Sequence, residues 1–304
     1  MRPTISTPEL PSAKEIPTPG FVASGLVACP ICAAAMADHA GRALACPSGH
    51  SFDRAREGYY NLLVVQHKAS RDPGDSKPMV AARRHILDAG IYAPLAEQVS
   101  ARIAELARGR EDFAVLDAGC GEGYYLNVIA AALKADGLEG CRLAGIDISK
   151  WAVQAAAKRN RNIFWAVESN KRIPFTQPCL DLIVCMFGFP VWDAFAAAQP
   201  SGGHVLLVDP APDHLIELRA IIYPMVELAE GQGSLDAAER AGYRLADQQR
   251  VTFTADLFGQ AQIADLLAMT PHDHRATQAG RESLAAREHL TVTVDVAIRL
   301  LSKP

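Results

Sequence analysis

No run of eighteen apolar residues occurs in the 304-residue chain, which excludes a membrane-spanning helix of the ordinary kind. There is no surplus of basic charge either. Lys and Arg number 30 against 34 Asp and Glu, a net −4, so the overall charge does not announce a nucleic-acid partner. No internal repeat is present, which excludes a solenoid or a propeller. Cysteine is sparse and odd in number, at seven. Cys120, Cys141, Cys179 and Cys185 each stand alone in apolar surroundings. Residues 1–25 carry five prolines and no continuous apolar stretch, so a disordered tail is expected there rather than a signal peptide. Together these absences argue against a disulfide framework and for a reducing, cytoplasmic setting. What the chain does have is apolar material, 49% of its residues, enough for a sizeable core.

The other three cysteines are crowded into "CPICAAAMADHAGRALACPSGH", residues 29–50. Cys29 and Cys32 form one Cys-x-x-Cys turn, and Cys46 and His50 form a second paired turn, with Pro30, Pro47 and Gly49 as turn residues. Three thiolates and one imidazole suit a tetrahedral zinc ion. Four protein ligands leave no open position, so the expected zinc is structural, and its binding energy folds the small unit at 26–56. His39 lies between the turns and is expected to be exposed.

Residues 57–110 are expected to form a connector and two helices. The first begins after an N-cap at Ser76 and ends before Gly90; the second runs from Pro94 to about Arg108. From 111 to 304 apolar strands alternate with helices. "FAVLDAG", "CRLAGID", "DLIVCMF" and "GGHVLLVD" predict a parallel sheet covered on both faces. "RVTFTADLF" and "HLTVTVDVAIRL" alternate, which predicts late antiparallel strands. The fold class is therefore α/β, a Rossmann-like domain behind a small zinc-binding domain.

"VLDAGCGEGYY" (115–125) ends a strand and opens a helix. Gly119, Gly121 and Gly123 permit a sharp turn and close approach of a ligand. A dinucleotide fold also uses spaced glycines. Here Asp117 precedes the first glycine, which suits a cationic or amine-bearing ligand better than a pyrophosphate. Asp147 ends the next strand, where a carboxylate can accept hydrogen bonds from two ribose hydroxyls. Together these features point to S-adenosylmethionine.

The sequence resembles the 23S ribosomal RNA (guanine-N1) methyltransferases, over roughly residues 26–295. The resemblance rests on the two ligand turns, "SFDRAREGYYNLL", "QHKASRDPGDSKPMVAARRHILDAGIYAPL", the glycine loop, "IDISKWAVQAAAKR", "RIPF", "HLIEL" and "LLAMTP". It implies a zinc ribbon before a class I methyltransferase domain, methyl transfer to N1 of a guanine in a 23S rRNA hairpin, and a possible homodimer. It also implies zinc on Cys29, Cys32, Cys46 and His50, and cofactor contacts at Tyr92, Gly121, Glu122 and His214. The chain departs from the family pattern in two places. His274 stands where the family has Trp, and "CMFGFPVWDAFAAAQPSGGH" (185–204) differs from the family's loop and charged helix. That segment follows the fourth strand, where methyltransferases hold the target base.

N1 of a neutral guanine carries a proton, so methylation there requires proton removal. Asp209, His214 and Glu217 follow a sheet strand, but each is as readily a loop residue or helix cap, and no base is singled out. Two stretches are locally basic: 54–84, with seven basic residues against three acidic, and 150–172, with six against one. The first is expected to face the substrate, with Tyr59, Tyr60 and Tyr92 as candidate stacking residues. Two other readings remain open: a small-molecule methyltransferase with a zinc-ribbon lid, and a non-catalytic zinc-dependent RNA-binding protein.

Overall fold

The computed structural model describes residues 18–68, 70–176, 178–223 and 233–304. Most of the expected disordered tail, residues 1–17, lies outside the described residues. Its last part is not disordered. Residues Gly20–Ala23 form a short helix, α1, because Phe21 and Val22 are apolar and find a core to enter: both are buried.

The ribbon follows as three antiparallel strands, β1 (Ala37–His39), β2 (Ala43–Ala45) and β3 (Ser51–Asp53). Then come β4 (Tyr60–Asn61), α2 (Lys77–Asp88) and α3 (Ala93–Ala107). The alternating part contains β5 (Ala114–Ala118), α4 (Tyr124–Ala135), β6 (Arg142–Asp147), α5 (Lys150–Arg159), β7 (Phe164–Val167) and β8 (Leu182–Met186). It continues with α6 (Trp192–Ala198), β9 (His204–Pro210), α7 (Ile216–Ile222), α8 (Gly233–Arg240) and β10 (Arg244–Phe258). The last elements are α9 (Gln260–Ala268), α10 (Gln278–Ala285) and β11 (His289–Ser302). No helix among the described residues is long and apolar enough to cross a membrane.

Local chemistry sets several of these boundaries. Ser76 and Ser149 cap α2 and α5, their hydroxyls accepting the N–H groups of Met79 and Ala152. Gly90, at φ +81°, ends the turn after α2 in the left-handed region.

Eight strands form one sheet in the order β10-β11-β9-β8-β5-β6-β7-β4. The six from β9 to β4 are parallel, and β10 and β11 are antiparallel, as the alternation of the late segments predicts. Successive residues on the buried strands serve opposite layers. Val115, Val184 and Leu206 face α2, α3, α4 and α5, while Leu116, Ile183 and Leu207 face α1, α6 and α8. Met36 and Leu44 of the ribbon belong to this second layer, alongside Phe21, Tyr60 and Phe164. The ribbon is thus built onto the sheet rather than tethered to it.

Strand order reverses between β5 and β8. Connections leave these two strands in opposite directions and open a crevice at their carboxyl ends, where an open α/β sheet binds its ligand. Asp117 and Met186 sit at that point.

Candidate functional site: a zinc ribbon and a two-chambered crevice

In the ribbon the two ligand turns face each other. The Nδ1 of His50 lies 3.4 Å from the Cys46 sulfur and 3.5 Å from that of Cys29, and the Cys32 and Cys46 sulfurs are 3.7 Å apart. All four ligand atoms fall within 4.8 Å of one another. A zinc tetrahedron places sulfurs about 3.8 Å apart and sulfur and nitrogen about 3.6 Å apart, so the donors stand at the corners zinc requires. The Cys32 thiol is pulled down to about 6, first by a backbone hydrogen bond at Ala34, which favours the thiolate that a metal needs. His39 ends β1, exposed and outside this cluster.

At the crevice, the chain leaves β5 through Asp117 into the glycine loop. Gly123 has φ +82°, and a Cβ there would come within 2.8 Å of the Ala156 Cβ, so only glycine lets α4 begin this close to α5. Asp147, at the end of β6, accepts the N–H of Gly121 at 3.0 Å and that of Ser149 at 2.7 Å. This pins the loop to the neighbouring strand. A cavity of about 420 Å³ lies above, lined among others by Asp117, Gly119, Gly121, Asp147, Asn170 and Phe187. It opens beside a larger one of about 860 Å³, lined among others by Tyr92, Asp209, His214, Arg275 and Phe189. Phe187, Gly188 and Phe189 belong to both walls.

Asp117 is buried, and among the described residues no cation forms an ion pair with it. Burial, and then the nearby Asp147 carboxylate, push it up to about 7. A buried acid that lacks a counter-charge and looks into a cavity fits a ligand that brings one, as S-adenosylmethionine does with its sulfonium and ammonium groups. The expected result is proton-linked binding. In the free protein Asp117 holds a proton through much of the range below pH 7. A bound cation lowers its pKa and expels that proton. Affinity for S-adenosylmethionine therefore rises with pH up to about 7 and then levels off. Calorimetry at pH 6 in buffers of different ionisation enthalpy checks this. Asp117→Asn should abolish the buffer dependence, and an unchanged dependence in that variant would remove Asp117 from the site.

Tyr92 and His214, brought together only in the fold, meet at the inner end of the larger cavity. The Tyr92 hydroxyl lies 3.4 Å from Nε2 of His214, and the Asp295 N–H donates to Nδ1 at 3.2 Å. An Nδ1 that accepts a hydrogen bond leaves the proton on Nε2. Burial holds His214 down to about 4, so it is neutral at physiological pH. It is a hydrogen-bond donor and not a base. Asp295, wholly buried and clasped by Arg250, also accepts the N–H of Asp213 and fixes this loop. The sequence carries no local signal for that hub, since its partners come from two other segments, the loop at 211–214 and β10.

Glu122 lines the cofactor cavity, with one carboxylate oxygen bonded to Arg159 at 2.6 Å and the other buried without a hydrogen-bond partner among the described residues. Two expectations need correction. Tyr59, Tyr60 and Tyr92 are all buried, so none is a stacking platform for RNA; their large apolar rings fill the core instead. The basic connector is not simply substrate-facing. Arg83 pairs with Asp75, Trp151 donates to Asp72 at 2.9 Å, and Ser149 donates to the Asp75 carbonyl at 2.6 Å. The loop is thereby drawn across the cofactor cavity, whose wall includes Gly74 and Asp75. Among the base candidates, Glu217 is used up by the N–H and hydroxyl of Thr293. His274, at the family's Trp position, is exposed.

A parallel sheet reversing at β5 and β8, an acid ahead of a glycine loop, and a second acid closing the next strand define a class I S-adenosylmethionine-dependent methyltransferase, here fronted by a four-ligand zinc ribbon. Comparison with known proteins narrows this. Residues 27–71 match the zinc-ribbon family described as "RlmA, N-terminal", and residues 115–199 match "Methyltransferase domain". A Streptomyces fradiae protein named 23S rRNA (guanine(748)-N(1))-methyltransferase is 34% identical over 257 residues, 82% of this chain and 80% of that one. YxjB of Bacillus subtilis (strain 168) is 31% identical over 273 residues, 89% of this chain and 94% of its own. The chain belongs to the 23S rRNA (guanine-N1) methyltransferase family.

Proposed function

We propose that this enzyme methylates N1 of a guanine in a 23S rRNA hairpin. The reading rests on one juxtaposition: an intact cofactor cavity opening onto a larger chamber, in a chain that aligns with guanine-N1 methyltransferases over most of its length. When bound, S-adenosylmethionine supplies an electrophilic methyl group on a sulfonium. Asp117 and Asp147 hold its charged and ribose portions, Gly119 and Gly121 let it lie against the backbone, and Tyr92 and His214 close the inner end of the larger chamber beside it. The ribbon, with zinc on Cys29, Cys32, Cys46 and His50, engages the RNA.

N1 lies in the pairing edge of guanine, so the acceptor is a loop base or one swung out of the stack. The N1 proton then needs a destination. Asp209 is the one carboxylate lining the larger cavity among the described residues. It sits at the carboxyl end of β9, 3.0 Å from Arg299. Burial raises its pKa above the usual carboxylate value, against the pull of Arg299. Such a group is a better proton acceptor than a solvated carboxylate and is assigned that role. A cytoplasmic location and a homodimer belong to the same reading.

Because N1-methylguanine cannot pair normally, reverse transcription stops at it. Primer extension along 23S rRNA from a deletion strain and its parent should show one such stop lost in the deletion strain. If every stop persists, the proposed activity is wrong.

A further inference from the structure

Tyr223, at the end of α7, and His272, beyond α9, meet in the wall of the larger chamber. They stand 49 residues apart in the chain, so the fold alone makes them a pair. The Tyr223 hydroxyl lies 2.8 Å from Nδ1 of His272, and the rings meet edge to face, 5.6 Å between centroids. Both are held by their backbones. The Tyr223 N–H donates to the Arg219 carbonyl at 3.0 Å, and the Ile222 carbonyl before it accepts the N–H and the hydroxyl of Thr277, each at 3.2 Å. The His272 carbonyl accepts the N–H groups of Arg275 and Ala276, each at 3.0 Å, closing a short 3-10 turn at Asp273–Arg275. Arg281 pairs with Asp273 and fixes the turn from outside.

The pairing also sets where the imidazole proton sits. Burial, and then the charges of Arg219 and Arg275, hold His272 below the usual histidine value, so it is neutral at physiological pH. Among the described residues Nδ1 is the only acceptor that the Tyr223 hydroxyl meets. A phenol donating there leaves the ring proton on Nε2. That Nε2 has no hydrogen-bond partner among the described residues and is not sealed inside the protein, so it is open to a ligand. Other donors of the chamber are engaged. His214 has its Nε2 on Tyr92, Arg83 pairs with Asp75, and Arg219 donates to the Pro212 carbonyl at 2.7 Å.

Guanine chemistry calls for such a donor. When Asp209 takes the N1 proton, the electron pair left behind spreads from N1 through C6 to O6. N1 then takes the methyl group, the sulfonium leaving as a neutral thioether, and O6 is again a neutral carbonyl. Charge at O6 is therefore largest around the transition state. A fixed N–H donor there stabilises it more than it stabilises the ground-state carbonyl. Resting on the function proposed above, we propose that His272 is a catalytic residue whose Nε2–H binds O6 of the acceptor guanine, and that Tyr223 is the positioning residue that fixes its tautomer. His272 keeps its proton throughout; Asp209 receives the one that leaves.

The test uses the full-length protein, in-vitro-transcribed 23S rRNA as acceptor and labelled S-adenosylmethionine. His272→Ala should lower kcat by about 10²- to 10³-fold, the worth of one donor aimed at a developing oxyanion, with KM for RNA within about twofold of wild type. His272→Gln, whose amide N–H reaches the Nε2 position, should recover activity to within about tenfold of wild type. Tyr223→Phe should cost about 3- to 10-fold, as for one neutral hydrogen bond. The acidic limb of the pH profile should persist in every variant, because His272 offers an N–H in either charge state. Nitrogen NMR of the wild-type protein with labelled histidine, read against His272→Gln to pick out the signal, should show the Nε2–H tautomer. Wild-type transfer with a fully active His272→Ala variant, or an Nδ1–H tautomer, would overturn the inference alone. So would a His272→Gln variant as impaired as His272→Ala, or loss of the acidic limb in either, which would make His272 a base. Absence of transfer by the wild-type enzyme would overturn the functional reading and the inference with it.

Discussion

A chain carrying Cys32→Ser and Cys46→Ser is expected to hold no zinc, to lose its folded ribbon and to lose most of its affinity for 23S rRNA, while still binding S-adenosylmethionine. Serine oxygen is a poor replacement for thiolate, and each substitution removes one corner from a different ligand turn. For a unit this small, metal binding contributes on the order of 10 kcal/mol to folding, far more than its short strands can supply. The damage should spread in one direction. Met36 and Leu44 share an apolar layer with α1, α6 and α8, so the melting temperature of the whole protein should fall. The cofactor chamber has a different backing: Leu87, Cys120 and Met186, which line it, lie in the layer on the opposite face of the sheet. Metal content by elemental analysis, RNA affinity by filter binding and cofactor affinity by calorimetry report the three parts separately. RNA affinity should drop by at least about tenfold, a loss of roughly 1.4 kcal/mol. If cofactor binding disappears while RNA affinity persists, this division of labour is wrong.

The second large effect concerns the proton. Asp209→Asn should reduce kcat by about 10²- to 10⁴-fold, the usual worth of a positioned general base. The amide keeps the shape of the carboxylate and can still accept from Arg299, so folding and cofactor affinity should survive. The pH profile gives the more specific readout. A carboxylate base works only when deprotonated, so wild-type kcat should rise with pH through the elevated pKa of Asp209 and then level off. The asparagine variant should lack that acidic limb. If its profile keeps the wild-type limb at a reduced rate, the titrating group lies elsewhere and Asp209 only orients the substrate. His214 is a poor alternative in the free protein, because its Nδ1 accepts a backbone hydrogen bond and its Nε2 carries the proton.

Much of the architecture was legible because its signals are local. The ligand spacings predict the ribbon's metal cluster, and Ser76 and Ser149 mark helix starts because a hydroxyl caps the turn it precedes. Apolar runs ended by Asp117 and Asp147 identify buried parallel strands and put their acids at the open end of the sheet. The strand Phe164–Val167 escaped this reading. It is buried on both faces and so shows no alternation, and it has only four residues. The short strand at Tyr60–Asn61 gains its identity only from pairing with β7.

The site divides along the same line. By itself, the sequence determined the donor set for zinc, the glycine loop and the two acids that flank it, because each chemistry depends on residues close together in the chain. The tertiary structure decided everything that depends on who else arrives. It turned Glu122 toward Arg159, tied Glu217 to Thr293, drew the loop around Asp75 over the cofactor chamber and buried the three tyrosines. It left Asp209 facing the larger cavity and set His272 against Tyr223. The physical reason is that a carboxylate or a ring acquires its role from burial and from its partners. Those partners come from distant segments, 37 residues away for Glu122 and Arg159 and 122 for Tyr92 and His214, and no local pattern specifies such a meeting.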